Sequence, residues 1–242
     1  MRLTRHALAV LLTFLLLSHS SPTHIPEAVS KPAPKPTMVF PVMATGAAAL
    51  YEAWSLESAG LSREAFEKAY AGYTQFKERS MLKVTRLLTI VDYSLSSAKK
   101  RLFVLDMDAG KMVFNTLVAH GRNSGVEMAR QFSNAGESHK TSLGFYITLN
   151  TYQGGNGYSL KLKGCEPGIN DNALNRAIVM HGADYVSEDF IRRNGFLGRS
   201  HGCPAVPQKL NKKIIDQIKG GSCMFLYYPA ADYIKRSKIL NT

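Results

Sequence analysis

Cysteine is scarce: the 242-residue sequence has three, Cys165, Cys203 and Cys223. That is too few for a scaffold built on disulfides. The odd number leaves a thiol without a partner inside the chain, unless all three are reduced or one pairs between chains. A Cys165–Cys223 bond would leave Cys203 free. Neither an HExxH nor a CxxC occurs, so a zinc centre has no guiding ligand spacing. Such a site would draw on His120, His139, His181, His201, Cys165 and Cys203, of which only His201 and Cys203 share one tight turn. Internal repeats are absent, and no hydrophobic run reaches the ~20 residues of a membrane-spanning helix. Acidic residues are in the minority, 18 Asp+Glu against 30 Lys+Arg, for a net charge of +12. The basic residues are scattered, with no dense basic helix and no recognisable nucleic-acid-binding motif. Nucleic acid is therefore not the expected partner. An anionic envelope polymer or a membrane surface attracts the same charge.

The N-terminus carries a compartment signal. Arg2 and Arg5 precede an apolar run from Ala7 to Leu17 broken only by Thr13, and small and polar residues follow from Ser18. That order is expected of a secretory signal peptide, or of an uncleaved anchor, over residues 1–20. No cysteine follows the run to carry a lipid. Export places the protein in the periplasm or cell envelope. Residues 21–42 carry six prolines and are expected to form an extended linker.

Two helical patterns come next, within a segment expected to span 43–85. Leu50, Ala53 and Trp54 share one face, and Gly60 offers a stop. Ser62 is a candidate cap for a second helix in which Phe66, Ala69, Tyr70 and Tyr73 recur at 3.6-residue spacing. This aromatic stripe reads as packing against the following domain. From about residue 87 the runs become β-like: "LLTIVDY", "RLFVLDM", "MVFNTLVAH", "LGFYITL", "AIVMH" and a final buried "CMFLYY". Asp108-Ala109-Gly110 is a hairpin signal between the second and third. "PQKLNKKIIDQIKGG" reads as a helix, opened by Pro207, facing inward with Leu210, Ile214 and Ile218, and ended by Gly220-Gly221. The expectation is a mainly β domain over 86–230 and a basic tail over 231–242.

The chemistry concentrates in "GRSHGCPAVP", residues 198–207. A cysteine is a nucleophile as a thiolate, which a neighbouring imidazolium stabilises. Gly202 lets the backbone approach a substrate, and Pro204 and Pro207 stiffen the exit from the turn. Upstream, "VMHGADY" places His181 at a strand end, a natural position for a base. Spacing alone leaves three readings open: a thiol with its base, a metal site, or a buried cysteine.

"SHGC" with an upstream histidine resembles the signature of the L,D-transpeptidases, the YkuD-like cysteine acyltransferases that act on peptidoglycan. "KTSLGFYIT" is similar to that family's Thr-Pro-x-Gly strand, with Ser142-Leu143 replacing Thr-Pro. "AHGRNSG", "FSN", "SLGFY", "GIND", "RAIVMHGADYVS" and "GRSHGCPAVP" resemble a murein L,D-transpeptidase subgroup, and "AGLSREAFEKAYAGY" its helical prefix.

The resemblance implies a β-sandwich catalytic fold with an N-terminal helical segment and a helix after the catalytic cysteine. It needs no cofactor and no metal. Cys203 would attack a stem tetrapeptide to form a thioester, and His181 would pair with the thiolate and later take a proton from the acceptor amine. The Gly182 carbonyl would orient the ring, and the N–H groups of His201, Gly202 and Cys203 would bind the oxyanion. Arg199 and Ser200, with Arg122, Asn123 and Ser124, are candidate substrate contacts. The partners implied are a donor tetrapeptide and an amine acceptor, and a carbapenem is the expected inhibitor. Pro204-Ala205 departs from the usual signature after the cysteine. An L,D-carboxypeptidase using the same site, or a non-catalytic wall-binding protein, are the alternatives.

Overall fold

The computed structural model describes residues 46–241, all of which fall in one compact unit. The signal or anchor expected over 1–20 and the linker over 21–42 lie outside the described residues. Among those described, no helix is long and apolar enough to cross a membrane.

The chain opens with two helices, α1 (Ala47–Ala53) and α2 (Arg63–Glu78). Ser62 caps α2 as its spacing predicts: its hydroxyl accepts from Ala65 N at 3.4 Å and donates to Asp92 Oδ2 at 2.6 Å. Three strands follow: β1 (Leu87–Asp92), β2 (Leu102–Asp106) and β3 (Lys111–Thr116). The β2–β3 turn is the one expected at Asp108-Ala109-Gly110, with Asp106 Oδ1 accepting from Ala109 N at 3.0 Å and Gly110 at φ +57°. β4 (Gly144–Gly154), β5 (Gly157–Gly164) and β6 (Val179–Ala183) come next, then α3 (Glu188–Asn194), β7 (Ala205–Pro207), α4 (Gln208–Ile218), β8 (Cys223–Tyr227) and α5 (Ala231–Arg236).

The fold is mainly β, as the sequence implies, and its eight strands form one sheet in the order β3-β2-β1-β8-β4-β5-β6-β7. β1 pairs with β8 in parallel at the centre, and β6 pairs with β7 in parallel near one end. The segment after β3 then bridges Ala119 to Ala205 on β7, with Ala119 N donating to Ala205 O at 2.8 Å. The two ends of the sheet thus meet, and the sheet curls back on itself around the core. β1, β2, β6 and β8 are buried at every position, which is why they read as continuous apolar runs without alternation.

α2 packs on β1 and β8 through Ala65, Phe66, Ala69, Tyr73 and Phe76, all buried. The aromatic stripe therefore is packing, as its pattern predicts. Phe145 is at its centre, stacked on Phe225 with ring centroids 4.2 Å apart and 5.6 Å from Phe76. Burying such a ring contributes about 1.5–3 kcal/mol. The ring also explains a glycine inside a helix: a Cβ on Gly72 would stand 2.2 Å from Phe145 Cζ.

Of the basic tail expected over 231–242, the described residues 231–241 pack on the fold. Residues 231–236 form α5, and Tyr233, Ser237 and Ile239 are buried. The anchor is Glu166, 2% exposed. Its carboxylate accepts from Phe145 N at 2.7 Å, from the Tyr233 hydroxyl at 3.2 Å and from the Ser237 hydroxyl. Gln75 Nε2 adds a bond to Ile239 O at 2.6 Å.

Gly72→Ala is expected to destabilise the protein by about 1–2 kcal/mol, because overpacking Phe145 outweighs the helix-propensity gain of alanine. Urea unfolding measures this. A variant as stable as the parent would show that the ring yields freely.

Candidate active site

His181 is the third residue of β6, and the parallel register sets it opposite Ala205 on β7. Cys203 lies two residues before Ala205, so adjacent segments carry the two residues that the sequence singled out. Both are nearly closed off, Cys203 at 9% exposure and His181 at 4%. His181 Nδ1 lies 2.9 Å from Gly182 O. A carbonyl only accepts, so Nδ1 carries the proton and Nε2 keeps its lone pair. The Gly182 carbonyl thus orients the ring in the way the resemblance implies. Gly182 has a second duty: a Cβ there would stand 2.3 Å from Gln208 Oε1 and 2.9 Å from Asn211 Cβ. Its bare Cα is what lets α4 lie against β6.

The thiol is held at the level of Val179, one strand repeat before His181. Val179 N donates to Sγ at 3.5 Å, and Sγ donates to Ala177 O at 3.8 Å. The imidazole is not among its hydrogen-bond partners. Burial pushes the Cys203 thiol up, against the Val179 N–H and the Arg176 charge, which pull it down. Burial likewise lowers His181, against the hydrogen bond to Gly182. Desolvation disfavours whichever form is charged, so both shifts favour the neutral thiol and the neutral imidazole.

The cysteine turn is built by close backbone approach. Gly202 has φ +123°, and a Cβ on it would stand 2.9 Å from Lys140 O and 3.0 Å from Ile178 Cδ1. Only glycine fits, by conformation and by space. Gly202 N donates to Ser200 Oγ at 3.0 Å, and Ser200 Oγ donates to Cys203 O at 2.6 Å. The Gly202 N–H, expected in an oxyanion site, is therefore already engaged. Ser200 closes the turn rather than facing solvent.

The other candidates do gather here. Arg122 N donates to Ser200 O at 2.8 Å, and Arg199 Nη1 lies 3.4 Å from Arg122 O and 3.2 Å from Gly125 O. Ser124 is buried, with its hydroxyl accepting from Thr141 N at 2.9 Å, and the Asn123 amide is bonded to Ser138 O at 2.9 Å. Ser124 and Asn123 thus hold a loop. Arg122 and Arg199 keep exposed side chains.

Two residues not singled out in the sequence prove central. Thr141 Oγ1 accepts from Gly121 N at 3.0 Å and donates to Gly202 O at 3.1 Å. Arg176 directs its guanidinium at Gly202, with Nη2 3.3 Å from where a Cβ would stand. Both lay inside quoted stretches, "KTSLGFYIT" and "RAIVMHGADYVS".

The other described histidines have contacts of their own. His201 is exposed, its ring 4.5 Å from that of His139. His120 accepts from Arg101 Nη2 at 2.7 Å and lies 3.3 Å from Gly125 O. Among the described residues, no three His, Cys, Asp or Glu side chains gather to hold a metal ion. All three cysteines are free thiols.

A glycine-anchored cysteine turn thus stands beside a strand histidine, at the closing edge of one curled sheet. Residues 57–227 match the family model described as L,D-transpeptidase catalytic domain, and the chain belongs to that family. Among solved structures, it is similar to an L,D-transpeptidase from Mycobacterium smegmatis, at 12% identity over 59% of each chain with a TM-score of 0.37. It is also similar to L,D-transpeptidase 3 from Mycobacterium tuberculosis, at 11% identity over 59% of this chain and 61% of that one, TM-score 0.38. An L,D-transpeptidase from Enterococcus faecium is similar at 14% identity, over 59% of this chain and 50% of that one, TM-score 0.36. These likenesses are distant, and the family model carries the assignment. No curated protein matches the chain.

The environment of His120 predicts a pH dependence of stability. Burial, with Arg101 beside it, lowers its pKa from 6.5 to about 3. Between those values the unfolded chain binds a proton that the folded protein refuses, so His120 makes stability rise with pH across that window. Urea unfolding at the two ends of the window should show a smaller difference in His120→Gln than in the parent. Equal differences would mean that His120 does not contribute.

Proposed function

We propose that this protein is an exported L,D-transpeptidase of the cell envelope, acting on peptidoglycan stem peptides through a Cys203 thioester. The observation that carries the reading is the His181 ring, locked by Gly182 with Nε2 unprotonated, on the strand next to the cysteine turn. Family membership over residues 57–227 adds to it.

Because burial favours both neutral forms, the first step is general-base catalysis. Sγ leaves the Ala177 carbonyl and gives its proton to His181 Nε2 as it attacks the donor carbonyl; such catalytic contacts commonly tighten only once substrate binds. The carbon–sulfur bond forms and negative charge gathers on the carbonyl oxygen. With Gly202 N–H engaged by Ser200, the donors for that oxygen are the N–H groups of His201 and Cys203. The tetrahedral species collapses, the amide bond breaks, and the imidazolium returns the proton to the departing D-amino acid. An acceptor amine then attacks the thioester while His181 takes its proton. The new amide forms and the thiol is restored. No ATP is required, because the thioester conserves the energy of the broken bond.

Water in place of the amine gives a carboxypeptidase with the same residues. Arg199 and Arg122, exposed at the same edge, would receive substrate carboxylates. The net charge of +12 suits a polyanionic wall.

A carbapenem should add one adduct to the protein, on Cys203, by intact mass; Cys203→Ala should carry none and lose cross-linking of tetrapeptide muropeptides. His181→Ala should acylate about 10²–10⁴-fold more slowly. Muropeptide cross-linking that survives in Cys203→Ala would end this reading, and free tripeptide in place of cross-links would make the protein the hydrolase.

A further inference from the structure

We propose that Arg176 is a positioning residue of the cysteine site: its guanidinium clamps residues 133–142 over the Gly202–Cys203 turn and is the cation against which the Cys203 thiolate forms. The inference rests on the reading of Cys203 as a nucleophile.

The clamp is visible bond by bond. Nη1 donates to Ser133 O at 2.8 Å and to Ser142 Oγ at 2.5 Å. Nη2 donates to Lys140 O at 2.6 Å and to Ser138 Oγ at 3.2 Å. One planar fork thus spans four positions of a segment without regular structure, a geometry that lysine's point charge cannot reproduce. Ser142, which takes part in the departure from the family's Thr-Pro pattern, provides one of the acceptors. Its hydroxyl also donates to Ser133 O at 3.0 Å, closing the loop on itself.

All four acceptors are neutral oxygens. Among the described residues Arg176 forms no ion pair with a carboxylate; the titratable groups whose charge it feels are Tyr146, Cys203 and Glu137. Nη2 lies 3.3 Å from where a Cβ on Gly202 would stand, and the residue after Arg176, Ala177, provides the carbonyl that holds Sγ. Arg199 also bonds only neutral carbonyls, those of Arg122 and Gly125, but its side chain is exposed and screened by solvent, whereas Arg176 is partly buried. Arg176 is therefore a fixed cation that the thiolate meets, beside the imidazolium formed with it.

Backbone strain marks the same place. Five described non-glycine residues have positive φ, and three of them are Glu137, His139 and Ala177. Two lie in the clamped segment and one adjoins Arg176. Such conformations persist only where surrounding contacts hold them, and the Arg176 fork is such a contact.

The test uses the pH profile of Cys203 alkylation by iodoacetamide in the full chain, read by peptide mapping. This separates the two roles: looser packing of 133–142 multiplies the rate at every pH, whereas loss of the cation moves the midpoint. Arg176→Gln should move the midpoint up by about one pH unit, a tenfold smaller thiolate fraction at a given pH below it. Arg176→Lys should keep the midpoint near that of the parent, yet lose protection of 133–142 against limited proteolysis. A folded Arg176→Gln whose midpoint coincides with the parent's overturns the electrostatic role. Should that variant not fold, Arg176→Lys decides: 133–142 as protected as in the parent overturns the clamp, and exposure of the segment supports it. The alkylation needs no muropeptide. A parent that takes no carbapenem but shows the Arg176 shift would refute acyl transfer and leave Arg176 in its role.

Discussion

The site depends on how closely three stretches of backbone approach one another at Gly202. Gly121 lies so near that a Cβ there would stand 2.5 Å from His139 O and 3.0 Å from the Gly202 Cα. Thr141 Oγ1 bonds both glycines, one through its N–H and the other through its carbonyl. A buried threonine hydroxyl has one donor and two acceptor lone pairs, and here it serves both neighbours. Two glycines and a threonine from three distant parts of the chain therefore fix the position of the next residue, Cys203. A reactive side chain needs such fixing, since an ångström of misplacement is enough to lose much of its catalytic advantage.

The same closeness sets the chemistry. Burying Cys203 and His181 favours their neutral forms. On the proposed mechanism, a proton passed from Sγ to His181 Nε2 would create thiolate and imidazolium together, inside a low-dielectric site where their attraction is stronger than in water. Arg176 stands there as a fixed charge whose hydrogen bonds all go to neutral atoms. The curled sheet makes this arrangement affordable in structural terms: the bridge from Ala119 to Ala205 brings the 121–142 segment over β6 and β7, while α4 supports β6 from behind through Gly182.

Much of the scaffold was legible in local pattern. Ser62, the aromatic stripe of α2, the Asp108-Ala109-Gly110 hairpin and the Pro207–Gly220 helix each follow from residue chemistry within a few positions. α3 escaped notice despite its capping Ser187 and its left-handed Gly195, because it buries no side chain and so has no 3.6-residue apolar stripe. β5 carries a strand pattern too, with Tyr158, Leu160 and Leu162 alternating with Ser159, Lys161 and Lys163. The C-terminal residues read as a basic tail because Lys235, Arg236 and Lys238 dominate their composition; what holds them is Glu166, far away in sequence.

The sequence by itself determined the apolar cores of several strands, the extents of α2 and α4, and the presence of a cysteine and a histidine in motifs of one family; α1 stops at Ala53, short of the Gly60 that the sequence offered. Tertiary structure decided that His181 is held by Gly182, that Gly202 N–H is taken by Ser200, and that Arg176 and Thr141 belong to the site. The division has a physical cause. Periodicity and capping act within a turn or two of backbone, so composition reveals them. The contacts of Arg176 with Ser133, of Thr141 with Gly202 and of Glu166 with Ser237 join residues whose proximity depends on strand order and register, and these exist only once the sheet has closed.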